Sequence, residues 1–165
     1  MLIDEKIDII SNLKFAIPVH CFNEQATQSE YTIPSNIKRI YAYAFAFNFL
    51  DKINLSNNIN LIGEGAFRGC SYLKQIEIPP LVTTLFSYTF KDCTSLQSVL
   101  LPGSINYIDD CCFSNCLNLH KIEYNDTIHS LLNLVELGKN VFDNVPAEVI
   151  HCIDGNVEID KLWRR

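Results

Sequence analysis

The sequence predicts an α/β solenoid, predominantly β, of about six stacked coils of one repeated unit. Three observations predict it. Phenylalanine recurs at a fixed spacing: Phe67, Phe90 and Phe113 fall 23 residues apart, and Phe45 and Phe22 continue the series backward at 22 and 23. Other residue types keep the same register, so the repeat is a unit rather than a run of aromatics. Each unit also holds a short alternating stretch, such as Lys74-Gln75-Ile76-Glu77-Ile78, with apolar and polar residues on opposite sides. A unit of this length cannot bury its own apolar side, but stacked copies bury a continuous core.

The elements follow from the columns. The alternating stretch is a half-buried strand. Its inward positions form the columns Ile53/Ile76/Val99/Ile122 and Leu55/Ile78/Leu101/Tyr124. Pro34, Pro79 and Pro102 follow or end three of these strands, where a missing backbone donor is harmless. Segments such as "SNIKRIYAYAF" and "GSINYIDDCCF" bring the chain back through turns and one short helical turn. They carry an aliphatic residue five before each Phe (Ile17, Ile40, Ile62, Leu85, Ile108) and a mostly small one just before it (Cys21, Ala44, Ala66, Thr89, Cys112). Phe45, Phe67, Phe90 and Phe113 are expected to stack across the core.

The ends depart from the pattern, as terminal units do. Residues 10–32 make a degenerate first unit, with Gln25 and Gln28 in place of the Cys and Leu of the inner units; 33–124 are regular. In the atypical last unit, 125–153, Ile128 and Leu131 keep register. Phe142 then arrives 29 residues after Phe113, which implies about six inserted residues around "LNLVELGKN". A strand is expected to resume at 149–152, and 154–165 to form a tail in which Trp163 covers the last coil. The whole chain, 1–165, reads as one domain.

Composition agrees with a folded chain: 48% of residues are hydrophobic and 19% charged. A net charge of −6 argues against nucleic acid, where phosphate contacts need a basic face. The one basic cluster along the sequence is Arg164-Arg165 with Lys161 nearby, a solvated tail. No apolar run approaches the roughly 20 residues that span a bilayer. The start, "MLIDEKIDII", sets Asp4, Glu5 and Asp8 where a secretion signal needs a basic region, so no such signal is expected. The 7 cysteines are an odd number, and reduced thiols are the default.

The residues that invite chemistry have structural readings. Cys70, Cys93 and Cys116 lie one repeat apart and should form a buried, unbridged column. Cys112 belongs to the small-residue column. Cys111 shares a column with Tyr43, Gly65 and Tyr88 and is the first candidate for an exposed, oxidisable thiol. Cys112, Cys116 and His120 have zinc-like intervals, but the repeat puts Cys116 in a turn and His120 beside a strand, so no metal is expected. His20, His129 and His151 are scattered. Gly63-Glu64-Gly65 lacks the rest of a phosphate loop. Without a recurring nucleophile–base pair, neither an enzyme nor a cofactor is expected. Asn54-Leu55-Ser56 and Asn125-Asp126-Thr127 match the N-glycosylation sequon.

The units "IGEGAFRGCSYLKQIEIP" (62–79) and "LFSYTFKDCTSLQSVLLP" (85–102) resemble the BspA-type leucine-rich repeat, the treponemal-type variant with a 23-residue period. "IDDCCFSNCLNLHKIEY" (108–124) matches at its Phe, Cys, Leu and Ile positions but ends in Tyr124. The resemblance implies a right-handed solenoid with one parallel sheet on its concave face. It also implies a microbial surface or secreted protein that binds other proteins, and it carries over no catalytic residue. The sequence taken by itself points to the cytoplasm.

Outward strand positions form two rows: Glu30, Lys52, Gln75, Ser98, Lys121, and Thr32, Asn54, Glu77, Leu100, Glu123. Lys52, Asn54, Gln75, Glu77, Ser98, Leu100, Lys121 and Glu123 are the candidate protein-binding face, with Leu100 its apolar centre. The expected function is a non-enzymatic protein–protein interaction module, for adhesion or recognition. The alternative is an intracellular scaffold whose solenoid ends stack on other copies.

Overall fold

A computed structural model describes residues 30–125 and 136–146. Each coil begins with a strand of one five-stranded parallel sheet: β1 (Glu30–Thr32), β3 (Lys52–Asn54), β5 (Gln75–Glu77), β7 (Ser98–Pro102) and β9 (Lys121–Asn125), paired in that order. A turn leaves each of the first four strands through a hydrogen bond from residue i+3 to residue i. Its acceptors are the carbonyls of Pro34, Ser56, Pro79 and Pro102, and its donors the N–H groups of Ile37, Ile59, Val82 and Ile105. Proline therefore sits where the ladder ends and the turn starts.

A second side is made of two-residue strands: β2 (Arg39–Ile40), β4 (Leu61–Ile62), β6 (Thr84–Leu85), β8 (Tyr107–Ile108) and β10 (Glu136–Leu137). β2 pairs with β4, and β10, β8 and β6 form a three-stranded parallel sheet. The expectation of one sheet is thus corrected: parallel pairing occurs on two sides. Every coil offers extended backbone at the same height on both.

The third side holds the Phe residues and corrects the α/β class, since no helix occurs among the described residues. The reason lies in the backbone. Two positions in each turn are left-handed, two residues before and two after the Phe: Tyr43, Gly65, Tyr88, Cys111 and Asn140 in one column, Phe47, Gly69, Asp92, Asn115 and Asn144 in the other. Left-handed residues break the i→i−4 ladder of a helix. The N–H groups alternate instead. Those of Ala44, Ala46 and Asn48 return to the carbonyls three residues back, while those of Tyr43, Phe45 and Phe47 reach Glu64, Ala66 and Arg68 in the next coil. The turn face is therefore hydrogen-bonded from coil to coil much as a sheet is, which satisfies its buried polar backbone.

The core lies between the three sides. Phe45, Phe67, Phe90 and Phe113 stack with ring centroids 5.4–5.5 Å apart, and Phe142 adds a fifth ring 5.7 Å from Phe113. The strand columns are buried as expected, apart from Leu55, which is half-buried. A further column, Ile59/Val82/Ile105, fills the space under the first turn, with Ile37 half-buried at its end. Steps β1 to β9 make four turns of the coil, and β10 with Phe142 continues into a fifth, against about six expected; the rest of the expected stack lies outside the described residues. The shortened step of 22 falls after Phe45, because Asp51 is level with Lys74 while Phe45 is level with Phe67. The expected insertion is narrowed: Leu137 pairs with Ile108 and Phe142 stacks on Phe113, so the extra residues precede Glu136, and Gly138-Lys139-Asn140 are back in register. The expectations for 1–29, 126–135 and 147–165, including Cys21, Ile128, Leu131, the resumed strand and the Trp163 cover, lie outside the described residues.

Candidate functional site

The parallel pairing carries the outward strand residues into straight rows. Glu30, Lys52, Gln75, Ser98 and Lys121 are successive partners across the five strands, and Thr32 faces Asn54 as Glu77, Leu100 and Glu123 face one another. The alternation leaves no other register, since a slip of one would turn the buried Ile column outward. All eight candidate residues thus lie on one face.

Much of the charge on that face is already matched. Lys52 Nζ lies 3.0 Å from Glu30 Oε1, and Lys121 pairs with Glu123 along its own strand. Asn54 Nδ2 donates to Glu30 Oε1 at 2.6 Å and to Thr32 Oγ1 at 3.0 Å. The Asn54 hydrogen bond, then Lys52, hold the Glu30 carboxyl below its ordinary range. Lys74 and Asp51 pair at 3.3 Å just before the strands. Among the described residues, the side chains of Gln75, Glu77 and Ser98 have no hydrogen-bond or ion-pair partner. Leu100 is half-buried between Glu77 and Glu123, so it is a shallow apolar centre.

The thiols are built into the core. Cys70, Cys93 and Cys116 are buried and unbridged, and each Sγ donates to the carbonyl of the Phe one coil earlier: Phe45, Phe67 and Phe90, at 3.0, 3.1 and 3.2 Å. Burial pushes Cys70 and Cys116 up to about 12, and Cys93 and Cys112 well above the ordinary thiol value. Such thiols are poor nucleophiles and poor ligands. His120 is exposed, with Nδ1 3.0 Å from the Asn118 carbonyl, and does not meet buried Cys112 and Cys116. Among the described residues no group of three or more His, Cys, Asp or Glu is placed to hold a metal. Cys111 is half-buried at a left-handed position.

The strongest surface feature lies on the turn face, which the sequence reading left out. Phe47 is 63% exposed, and its ring lies over Gly69; the Tyr43 ring lies over Gly65. Both glycines have positive φ, and a Cβ on either would meet the ring above it at 2.3–2.5 Å. Tyr43 OH donates to Glu64 Oε1 at 2.6 Å. The Arg68 guanidinium stands 6.0 Å from the Phe47 ring centre and 5.9 Å from that of Tyr88, and Lys91 Nζ stands 5.5 Å from Tyr88. Tyr43, Phe47 and Tyr88 all have φ near +60°. For bulky residues that conformation costs about 1–2 kcal/mol each, whereas the Gly, Asp and Asn found elsewhere in the same columns adopt it readily. The legible signal was Gly65, Gly69, Asp92 and Asn115 at matched positions. It marked the left-handed turns but not the aromatics that share them.

Stacked coils with parallel sheets and a continuous ladder of identical side chains define a repeat solenoid of the leucine-rich class. The BspA type leucine rich repeat region, in six copies, matches residues 15–148, and the chain belongs to that family. The family's solenoids are generally protein-interaction modules and typically lack catalysis. A leucine rich cell surface protein from Faecalibacterium prausnitzii is similar in structure at 26% identity, with a TM-score of 0.50 over 66% of this chain and 35% of that one. A leucine-rich repeat protein from Eubacterium ventriosum is similar at 21% identity and TM-score 0.50, over 79% of this chain and 48% of that one. The chain thus spans about a third to a half of the length of these two. No curated protein matched.

Proposed function

We propose that this chain is a non-enzymatic recognition or adhesion module that holds a protein partner on the face of its five-stranded sheet. The observation that carries the reading is the pair of registered rows, with Gln75, Glu77 and Ser98 unpaired among the described residues beside Leu100. Unpaired polar groups around a half-buried Leu can exchange water for a partner without first breaking an ion pair, whereas Lys52 and Lys121 would have to give theirs up. The flanking pairs then act as a rim that sets register and on-rate more than affinity. Cell-surface exposure fits this role, and the similar Faecalibacterium protein is described as a cell surface protein. A right-handed winding, about six coils and a single domain over 1–165 complete the proposal.

The test is a photo-crosslinking residue at Gln75 or Ser98 in the full chain in its native cell, followed by binding of the captured protein to wild type and to a Leu100→Glu/Glu123→Lys variant. A loss of at least tenfold with the fold intact is expected. Undiminished binding by the folded double variant would remove the sheet face from the proposal. Labelling of intact cells with a membrane-impermeant reagent checks the surface placement.

A further inference from the structure

We infer that the boundary between the coil of β3 and the coil of β5 is a hinge, whose two sheet sides open while its turn side holds. Three observations converge on this boundary. The first is in the five-stranded sheet. β3 and β5 pair at Lys52 and Gln75 alone, whereas β5 and β7 pair along Gln75–Glu77 and Ser98–Leu100. Past the strand ends, Ile33 N–H donates to the Asn54 carbonyl and Ile78 N–H to the Leu100 carbonyl, at 3.0 and 2.9 Å. Leu55 holds the same place in the coil between them, and its N–H reaches no carbonyl of the next coil among the described residues. Its side chain is half-buried where Ile33, Ile78 and Leu101 are buried, so the core is less closed at this level.

The second is on the side of the two-residue strands. β4 and β6 do not pair, and this side divides there into its two-stranded and three-stranded pieces. Gly63, Asp109 and Gly138 each donate an N–H at 2.8 Å to the preceding coil, at Ile40, Leu85 and Ile108. Phe86 shares their column and makes no such bond to Ile62. Likewise Asn60 reaches Lys38 at 2.8 Å and Asn106 reaches Thr83 at 2.9 Å, while Thr83 makes no bond to Asn60. Side chains repeat the gap. Asn58 Nδ2 donates to the Ser35 carbonyl and Ser104 Oγ to the Val82 carbonyl, across the two neighbouring boundaries. Leu81, the residue of that column at this boundary, has no side-chain donor to offer.

The third is that the turn side is intact. Gly65, Phe67 and Gly69 donate to Ser87, Thr89 and Lys91 at 3.0, 2.9 and 2.8 Å. The Cys93 thiol donates to the Phe67 carbonyl at 3.1 Å, and the Phe67 and Phe90 rings stack 5.4 Å apart. Rotation about the turn side therefore breaks few backbone bonds, whereas outright separation breaks them all. Lys74 and Asp51 pair across the opening edge at 3.3 Å, but an exposed pair holds it weakly. The line crosses the candidate partner face between Lys52-Asn54 and Gln75-Glu77, so the hinge sets the curvature of that face.

The test is amide hydrogen exchange of the folded full chain, followed by NMR and corrected for intrinsic rates. Like bonds at successive boundaries are compared. Lys74 N–H bonds to the Asp51 carbonyl at 3.1 Å across the hinge. Gln97 and His120 make the same bond to Lys74 and Gln97, at 2.7 and 3.1 Å. Lys74 should exchange at least tenfold faster than either. Gly65, Phe67 and Gly69, bonded across the hinge on its turn side, should stay within threefold of Tyr88, Phe90 and Asp92, which make the same bonds one coil on. Exchange of Lys74 as slow as that of Gln97 and His120 overturns the inference. Turn-side amides exchanging as fast as Lys74 overturn it too, because the two parts would then be separating outright. No partner enters the measurement, so its failure leaves the sheet-face reading untouched.

Discussion

The buried thiol ladder makes the fold sensitive to alkali in a countable way. Cys70, Cys93, Cys112 and Cys116 are held neutral by burial, with Cys70 and Cys116 pushed up to about 12 from an ordinary 9.0. The native state therefore keeps each proton where the unfolded chain releases it. The stabilisation is fully present below about pH 9 and is lost as pH rises towards 12. In that window each thiol contributes a slope of one proton, about 1 to 1.5 kcal/mol per pH unit. At pH 10 the four together remove several kcal/mol, a large part of the 5–15 kcal/mol typical of a domain. Tyrosine and lysine titrate in the same range, so the diagnostic quantity is a difference. Urea unfolding of wild type and Cys93→Ala, under reducing conditions from pH 8 to 10.5, should differ in slope by one proton. At pH 7 the variant should start about 1–3 kcal/mol lower, because the Phe67 carbonyl loses its Sγ donor and a small cavity opens. Equal slopes would show that Cys93 ionises in place, and the burial argument for the ladder would fail.

Two other perturbations address the stack and its turns. Phe90 lies between two rings at 5.4 Å, and Phe142 has one ring, at 5.7 Å, among the described residues, so Phe90→Ala should cost about 3–5 kcal/mol and Phe142→Ala clearly less, by urea denaturation. Equal costs would mean that the rings do not act through their neighbours. Gly65→Ala combines φ +57° with a Cβ 2.3 Å from the Tyr43 ring, and should lose about 2 kcal/mol or more in thermal unfolding. Tyr43→Ala in the same chain should recover the steric part and leave the backbone part.

The interior was legible because period and polarity determine it together. Once Phe67, Phe90 and Phe113 share a register, Ile76, Val99 and Ile122 must lie over one another, and Gln75, Ser98 and Lys121 must line up outside. The backbone of the third side was not legible. Alternating left-handed residues leave a trace only where Gly, Asp or Asn occupies them, and Tyr43, Phe47, Tyr88 and Cys111 conceal it. The hydrogen bonds of that side run between coils, so no local propensity records them. The cation–ring contacts around Arg68 were hidden for the same reason: Phe47, Arg68, Tyr88 and Lys91 come from three successive coils.

A repeat that aligns like residues also isolates the unlike ones. Along the columns of the Phe stack every coil must place the same shape, and a single change disturbs two neighbours. Along the outward columns nothing enforces likeness, so Phe47, Gly69, Asp92, Asn115 and Asn144 share one backbone conformation with four different residue types. The left-handed backbone still ranks them, with Gly and Asn relaxed and Phe strained. Where the strained residue persists although largely exposed, and its neighbour in the next coil is a glycine that gives its ring a place to lie, the two positions agree with each other and not with the rest of the column. Packing alone accounts for the buried columns. Departure from the column, on the surface and at a local cost, marks Phe47 with Gly69 as the place where this chain differs from a generic coil.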